Sequence, residues 1–324
     1  AVERWFWDEL ASESDAKLLY ASDVDGSAFP PLAPGIERTR DERWSPQGLA
    51  SGSLLRYLPY DVPGVNSPML YFGMLGAMFC FHVEDNHMYS TSYLHRGAPK
   101  LWYGIPPADA DRFDEVAVKE AFPFHVQNDT HMLLRKSLMV PPTMLLERGV
   151  RVSRLVQQPG EFVVTLPRGY HCGFSLGFNA AEAVNFCYSD WVPLALQAND
   201  WYRAINYVPV VDLEHMFVSA SLDGYSAEVA EACEALVRLE LELRAAIRHS
   251  DLLAKEVLMT PDDVEHNSGR GQPCHRCGQL CHLSFVREPN DPSARRVACL
   301  RHADTLICSG ELVLVCRYSH EKLT

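Results

Sequence analysis

The stretch Met78-Phe79-Cys80-Phe81-His82-Val83-Glu84-Asp85 decides how this 324-residue chain is read. Its aromatic and β-branched residues favour a strand, and residues two apart in a strand share a face. His82 and Glu84 are therefore expected to project into one cavity, while Phe81 and Val83 pack against the other layer. Far downstream, Gly160-Glu161-Phe162-Val163-Val164-Thr165-Leu166-Pro167 reads as a strand running from a glycine turn to a proline stop, with His171 directly after it. Two imidazoles and one carboxylate on one side of a metal leave the opposite positions open, the arrangement associated with non-haem Fe(II) oxygenases. A closed structural site would use four ligands and more sulfur.

Downstream of the first pair, Lys100 stands inside Ala98-Pro99-Lys100-Leu101-Trp102-Tyr103-Gly104-Ile105. An ammonium buried among such neighbours is costly unless an anion meets it. A dicarboxylate cosubstrate would supply that anion.

The chain is long enough to bury a full core and to carry more than one domain. Hydrophobic residues make up 47% and charged residues 22%, the balance of an ordinary soluble protein. No apolar run approaches a membrane span, and Ala1-Val2-Glu3-Arg4-Trp5 lacks a secretory signal pattern. The formal net charge of -13 argues against generic binding to phosphate backbones and suits a basic peptide partner. There is no internal repeat, phosphate-binding glycine loop or hydrolase triad.

The ten cysteines are unevenly placed. Cys80, Cys172, Cys187 and Cys233 are scattered and read as packed, reduced thiols. Cys274-x-x-Cys277 and Cys299-x-x-His302 form a four-ligand zinc pattern, because each two-residue spacer lets a turn present two ligands to one tetrahedral ion. A disulfide framework is the alternative. Before this region, Val229, Cys233, Leu236, Leu239, Leu243 and Ile247 recur at helical spacing, an amphipathic helix with Glu and Arg on its other face. Thr260-Pro261-Asp262-Asp263 then opens a polar linker through Gly269-Arg270-Gly271. Earlier, Pro107 to Lys119 and Thr143 to Gly149 read as helices decorating a β-rich core. The Pro30–Gly35 stretch and the charged run Glu37–Arg43 read as surface or a connecting insertion.

Pro68-Met69-Leu70-Tyr71-Phe72-Gly73-Met74, Phe81-His82-Val83-Glu84-Asp85, Tyr93 to Gly104 and Gly160 to Phe186 stand in the order and spacing of the JmjC-domain histone lysine demethylases, which the first 210 or so residues resemble. The resemblance implies a mainly β fold, a double-stranded β-helix or jelly roll similar to cupins, holding Fe(II) and 2-oxoglutarate in its mouth. On that pattern His82, Glu84 and His171 are the iron ligands and Lys100 pairs with the distal carboxylate of 2-oxoglutarate. Tyr20 resembles the tyrosine that joins that lysine, and Phe79 and Trp102 match aromatic walls of the cosubstrate pocket. Tyr71 and Asn185 match positions near the methylated lysine, while Ser90 and Asn179 match polar positions beside the metal. For Tyr71 an ordinary packing role stands beside the substrate role. One departure is visible in Tyr89-Ser90-Thr91-Ser92-Tyr93: Ser92 replaces the asparagine that lends its amide to the cosubstrate pocket, and a hydroxyl is shorter with fewer donors.

The tail resembles the C5HC2 zinc finger that follows the JmjC domain in many demethylases. That finger usually holds two zincs. Here its middle and final Cys-x-Cys pairs are missing, with Glu288-Pro289-Asn290-Asp291-Pro292 in the loop and Cys308 near the end. One zinc on Cys274, Cys277, Cys299 and His302 is expected, with Cys281 and Cys308 left over. The resemblance divides the chain into a JmjN-like leading segment (1–49), a jelly roll (50–192), a helical linker domain (193–265) and a zinc module (266–324). It implies a nuclear enzyme that removes N-methyl groups from lysine 27, 4 or 9 of histone H3, giving formaldehyde, succinate and carbon dioxide. A JmjC protein hydroxylase, or an inactive chromatin-binding scaffold suggested by Ser92, are the alternatives.

Overall fold

Strands whose alternate residues face opposite environments build the first half of the chain. The computed structural model describes residues 1–12, 17–30, 44–121, 133–260, 269–290, 296–306 and 311–324. The charged run Glu37–Arg43, most of the Pro30–Gly35 stretch and of the polar linker, Asp291, Pro292 and Cys308 lie outside the described residues. Two compact units divide the chain: Ala1–Ser53 with Val62–Cys187, and Leu54–Asp61 with Tyr188–Thr324.

In the first unit the strands are β1 (Tyr20–Asp25), β2 (Met69–Gly73), β3 (Met78–His82), β4 (Tyr89–Gly97), β5 (Lys100–Ile105), β6 (Ser153–Gln157), β7 (Phe162–Thr165), β8 (Tyr170–Ser175) and β9 (Asn179–Phe186). They form a five-stranded sheet of order β1-β2-β9-β4-β7 and a four-stranded sheet of order β3-β8-β5-β6, with every pair antiparallel. This is the expected jelly roll.

β8 is buried along its whole length, because one face lines the cavity and the other meets the core. Cys172 and Phe174 join Phe81, Leu101, Tyr103 and Ile105 in that core, each large apolar side chain contributing roughly 2–3 kcal/mol by leaving water. Helix α1 (Val2–Ala11) covers this outer face. Phe6 stacks on Phe174 with ring centroids 3.7 Å apart, and the Trp7 indole donates to the Tyr103 hydroxyl at 3.0 Å. A short helix, Ala110–Glu115, runs on into a π turn at Val116–Ala121, and a further helix spans Pro142–Glu147. Both stand where the sequence suggests decorating helices.

Two local readings change. The strand carrying His82 ends there, and Glu84 precedes a 3₁₀ turn, Asp85–His87. Its backbone stays extended (φ -70°, ψ 154°), which preserves the shared direction of the two side chains. The Gly160–Pro167 signal is β7 of the five-stranded sheet, whereas His171 lies on β8 of the other sheet, directly across from His82. The turn Leu166–Gly169, with Arg168 at φ 59°, carries the chain from one sheet to the other.

The second unit is helical, then β-rich. Asp212 caps the helix Leu213–Leu222 by accepting from the His215 N–H at 3.1 Å, and Ser226 caps Ala227–Arg248 through Val229. The second of these helices carries the apolar repeat read from the sequence, but Leu236, Leu239 and Leu243 are only half-buried while Glu240 and Arg244 are buried. Arg244 escapes the expected polar face because it pairs with Glu240 at 2.6 Å and donates to the Leu283 and Tyr318 carbonyls at 2.8 and 2.7 Å. The tail supplies a four-stranded sheet that includes Ser284–Arg287 and Leu312–Cys316. Among the described residues no helix is long and apolar enough to cross a membrane.

Candidate active site

Between the two sheets of the first unit lies a cavity of about 540 Å³. His82, Glu84 and His171 stand at it with their ligand atoms within 4.8 Å of one another. Glu84 Oε1 is 3.2 Å from His171 Nε2 and 3.8 Å from His82 Nε2. Each imidazole is held by its other nitrogen: His82 Nδ1 lies 2.7 Å from the Cys80 carbonyl and His171 Nδ1 3.0 Å from the Gly169 carbonyl. A carbonyl can only accept, so each Nδ1 donates to it and each Nε2 faces the cluster, the second layer of support typical of metal-bound histidines. Burial pushes the His82 pKa down. Burial alone would raise Glu84, but His171 and His82 beside it hold its carboxyl well below the usual range. The three side chains present two imidazole nitrogens and one carboxylate oxygen, a donor set that fits a divalent ion with open positions.

Lys100, at the start of β5, lines the same cavity with only 4% of its surface exposed. Burial alone pushes its pKa down to about 8. Among the described residues no carboxylate forms an ion pair with it. The Phe79 ring lies 5.8 Å from its nitrogen and packs against Trp102 at 4.6 Å. That close approach needs Gly173, where a Cβ would come within 2.2 Å of the Leu101 carbonyl oxygen and 2.6 Å of the Phe79 ring.

Tyr20, Phe79, Ser92, Trp102, Tyr71, Ser90 and Asn185 all line the cavity. The Ser90 hydroxyl is 2.6 Å from Thr165 Oγ1, and the Asn185 amide donates to the Tyr89 carbonyl at 3.1 Å. Asn179 does not reach the lining. Its amide donates to the Ala98 carbonyl at 3.2 Å and its oxygen accepts from Ser175 at 3.3 Å, so it ties strand ends together instead of facing the metal cluster.

Two contributors carry no motif in the sequence. Gln157 is fully buried. Its oxygen accepts from the Trp102 indole at 2.9 Å while its nitrogen donates to the Ser92 and Glu161 carbonyls at 2.9 and 3.0 Å. Asp23 lines the cavity and accepts from the Tyr71 hydroxyl at 3.2 Å. It sits at φ 57° in a bulge of β1, the kind of local distortion that re-aims a side chain. No local sequence signal distinguishes it from a surface aspartate.

In the second unit, Cys274, Cys277, Cys299 and His302 also bring their ligand atoms within 4.8 Å of one another. Zinc–sulfur bonds of about 2.3 Å in a tetrahedron separate the sulfurs by about 3.8 Å. Cys277 Sγ and Cys299 Sγ are 3.9 Å apart, and His302 Nδ1 is 3.2 Å from Cys299 Sγ and 3.8 Å from Cys274 Sγ. Cys281 is buried outside this group, its thiol facing the Gln279 carbonyl.

Comparison with known families matches the JmjC domain, hydroxylase, over residues 69–186 and the C5HC2 zinc finger over residues 274–324. The chain belongs to the JmjC-domain family. Its JmjC domain holds the cavity and its zinc finger the cysteine cluster. Among relatives, the lysine-specific demethylase JMJ706 of Oryza sativa subsp. japonica is 42% identical over 229 residues, covering 68% of this chain and 26% of that protein. Lysine-specific demethylase 5B of Gallus gallus is 32% identical over 349 residues, covering 99% of this chain and 22% of the relative. Lysine-specific demethylase JMJ703 of Oryza sativa subsp. japonica is 32% identical over 338 residues, covering 95% and 27%. The chain thus spans about a quarter of the length of these curated relatives.

Proposed function

We propose that this JmjC chain is an Fe(II)- and 2-oxoglutarate-dependent dioxygenase that removes N-methyl groups from methylated lysine of the histone H3 tail, acting on chromatin in the nucleus. One observation carries the reading: the His82, Glu84 and His171 donors converge in the cavity that also holds the buried ammonium of Lys100, which no carboxylate meets among the described residues. The demethylase names of the relatives support the substrate class.

His82 Nε2, His171 Nε2 and a Glu84 oxygen would hold the iron. Bound iron would activate dioxygen at the expense of 2-oxoglutarate, which leaves as succinate and carbon dioxide, so that one oxygen atom hydroxylates an N-methyl carbon and the hydroxymethyl group is released as formaldehyde. The protein's part is to bind and orient. Lys100 meets the distal carboxylate of the cosubstrate with a charge-assisted hydrogen bond. Tyr20 and Ser92 add hydroxyls, while Phe79 and Trp102 exclude water. Tyr71, Ser90 and Asn185 face the substrate end, where the Asp23 carboxylate complements a methylated ammonium. In the second unit Cys274, Cys277, Cys299 and His302 hold one zinc for structure.

The test is mass spectrometry of H3 peptides methylated at lysine 4, 9 or 27 after incubation with Fe(II) and 2-oxoglutarate. Loss of methyl groups with formaldehyde release is expected, and His82→Ala should abolish both while the protein stays folded. Addition of a stable hydroxyl without formaldehyde would make the chain a hydroxylase. Absence of succinate under all conditions would make it a scaffold.

A further inference from the structure

Glu182 sits on β9 with none of its surface exposed, where a charged carboxylate is costly unless donors surround it. Three do. Ser27 Oγ donates at 2.6 Å, the Ala28 N–H at 2.9 Å, and His95 Nε2 on β4 lies at 2.9 Å. Two of the three belong to the segment that follows β1. A turn at Gly26 (φ 124°) leads into it, and Ser27 Oγ also accepts from the Phe29 N–H at 3.1 Å. Phe29 then packs its ring near Tyr93 and His95, at centroid distances of 5.0 and 5.1 Å.

β1 has few other anchors. Among the described residues it is an edge strand with five of its six residues exposed, and its ladder to β2 is broken by the bulge between Ala21 and Val24. Apolar burial does little for such a strand, yet it carries Tyr20, Ser22 and Asp23 to the cavity wall. Glu182 itself is not among the residues that line the cavity, and its carboxylate is taken up by Ser27, Ala28 and His95. Its carboxylate therefore acts on the site only through the segment it grips.

We propose that Glu182 is a positioning residue: with Ser27, Ala28 and His95 it clasps the end of β1 and so holds Tyr20 and Asp23 in the cavity wall. The kinetic consequence rests on the function proposed above. The mechanical consequence does not.

Amide hydrogen exchange on the full chain separates the two. Glu182→Gln and Ser27→Ala should each speed exchange across residues 20–29 about tenfold, the effect of losing one charge-assisted hydrogen bond. The β2–β9 ladder should be unchanged, and Ser27→Thr, which keeps the hydroxyl, should behave as wild type. In turnover the KM for 2-oxoglutarate should rise severalfold in both weakened variants with kcat little altered. Unchanged exchange in both folded variants would overturn the clasp, as would acceleration spread evenly over β2, β4 and β9, which marks general support of the fold. Faster exchange at 20–29 with an unaltered KM would overturn the positioning role. A wild-type chain that never turns over, but shows the exchange pattern, would uphold the clasp and remove the dioxygenase reading instead.

Discussion

Lys100 is where burial and charge conflict most directly. Its pKa, pushed down to about 8 by burial, leaves it mostly an ammonium at neutral pH. In the protein without an anion the buried charge costs stability below about pH 8, and that cost is relieved as pH rises from there toward the ordinary value of 10.5. Anion binding runs the other way, because only the protonated form attracts a carboxylate. The affinity for 2-oxoglutarate should hold below about pH 8 and fall about tenfold for each further unit of pH, read as apparent KM across that range. Lys100→Ala should raise KM at neutral pH by about tenfold or more and flatten the profile. Ser92 offers the opposite experiment. Its side chain lines the cavity on a strand whose backbone Gln157 already holds, so Ser92→Asn adds an amide to a fixed position. Tighter cosubstrate binding is expected, measured as a severalfold lower KM; an equal or higher KM would mean that the neighbouring residues have adapted to serine.

At the scale of elements, the helix Ala227–Arg248 shows how tertiary contacts override pattern. Arg244 is fully buried and spends its guanidinium on Glu240 and two carbonyls, while Glu240 also accepts from Ser284. Removing the cation leaves a buried carboxylate without its counter-charge, so Arg244→Met should cost about 3–5 kcal/mol in chemical unfolding. Adding Glu240→Leu should recover part of that loss, because it removes the unpaired carboxylate while the Leu283 and Tyr318 carbonyls and the Ser284 hydroxyl still lack the hydrogen-bond partners they had in that pair. The apolar repeat made this helix legible, but a charged pair four residues apart looks the same in sequence whether it faces water or a row of carbonyls. The same limit applies to β7 and β8. The Gly160–Pro167 stretch was legible as one strand with His171 directly after it, but that His171 stands on a separate strand of the other sheet depends on the turn at Leu166–Gly169.

For the whole molecule, the two candidate metal groups lie one in each unit and differ in chemistry as well as place. Metal analysis of the purified chain should find about one zinc, separable from iron by selective chelation. Cys277→Ala should lose the zinc and destabilise the tail in limited proteolysis, while the separation of His82, Glu84 and His171 is retained and iron still binds. Two zincs would bring Cys281, Cys308 or Cys316 into ligation. Absence of zinc with a disulfide at Cys274 would replace the metal reading altogether.

The pairs His82 and Glu84, Cys274 and Cys277, and Cys299 and His302, with the Lys100 neighbourhood, were legible in the amino-acid sequence because each depends on residue type at short spacing, and the jelly-roll class was legible from a series of motifs in fixed order. What only the tertiary structure decided is how distant groups meet: His171 opposite His82 across a β ladder, Gln157 tying Trp102 to Ser92, and Asp23 turned into the cavity by a bulge. It also decided that Asn179 serves strand ends and that Glu182 grips the segment after β1. Short spacing expresses local geometry, which the backbone periodicity dictates. Partners far apart in the chain are chosen by sheet order and register, and neither is written in any one segment.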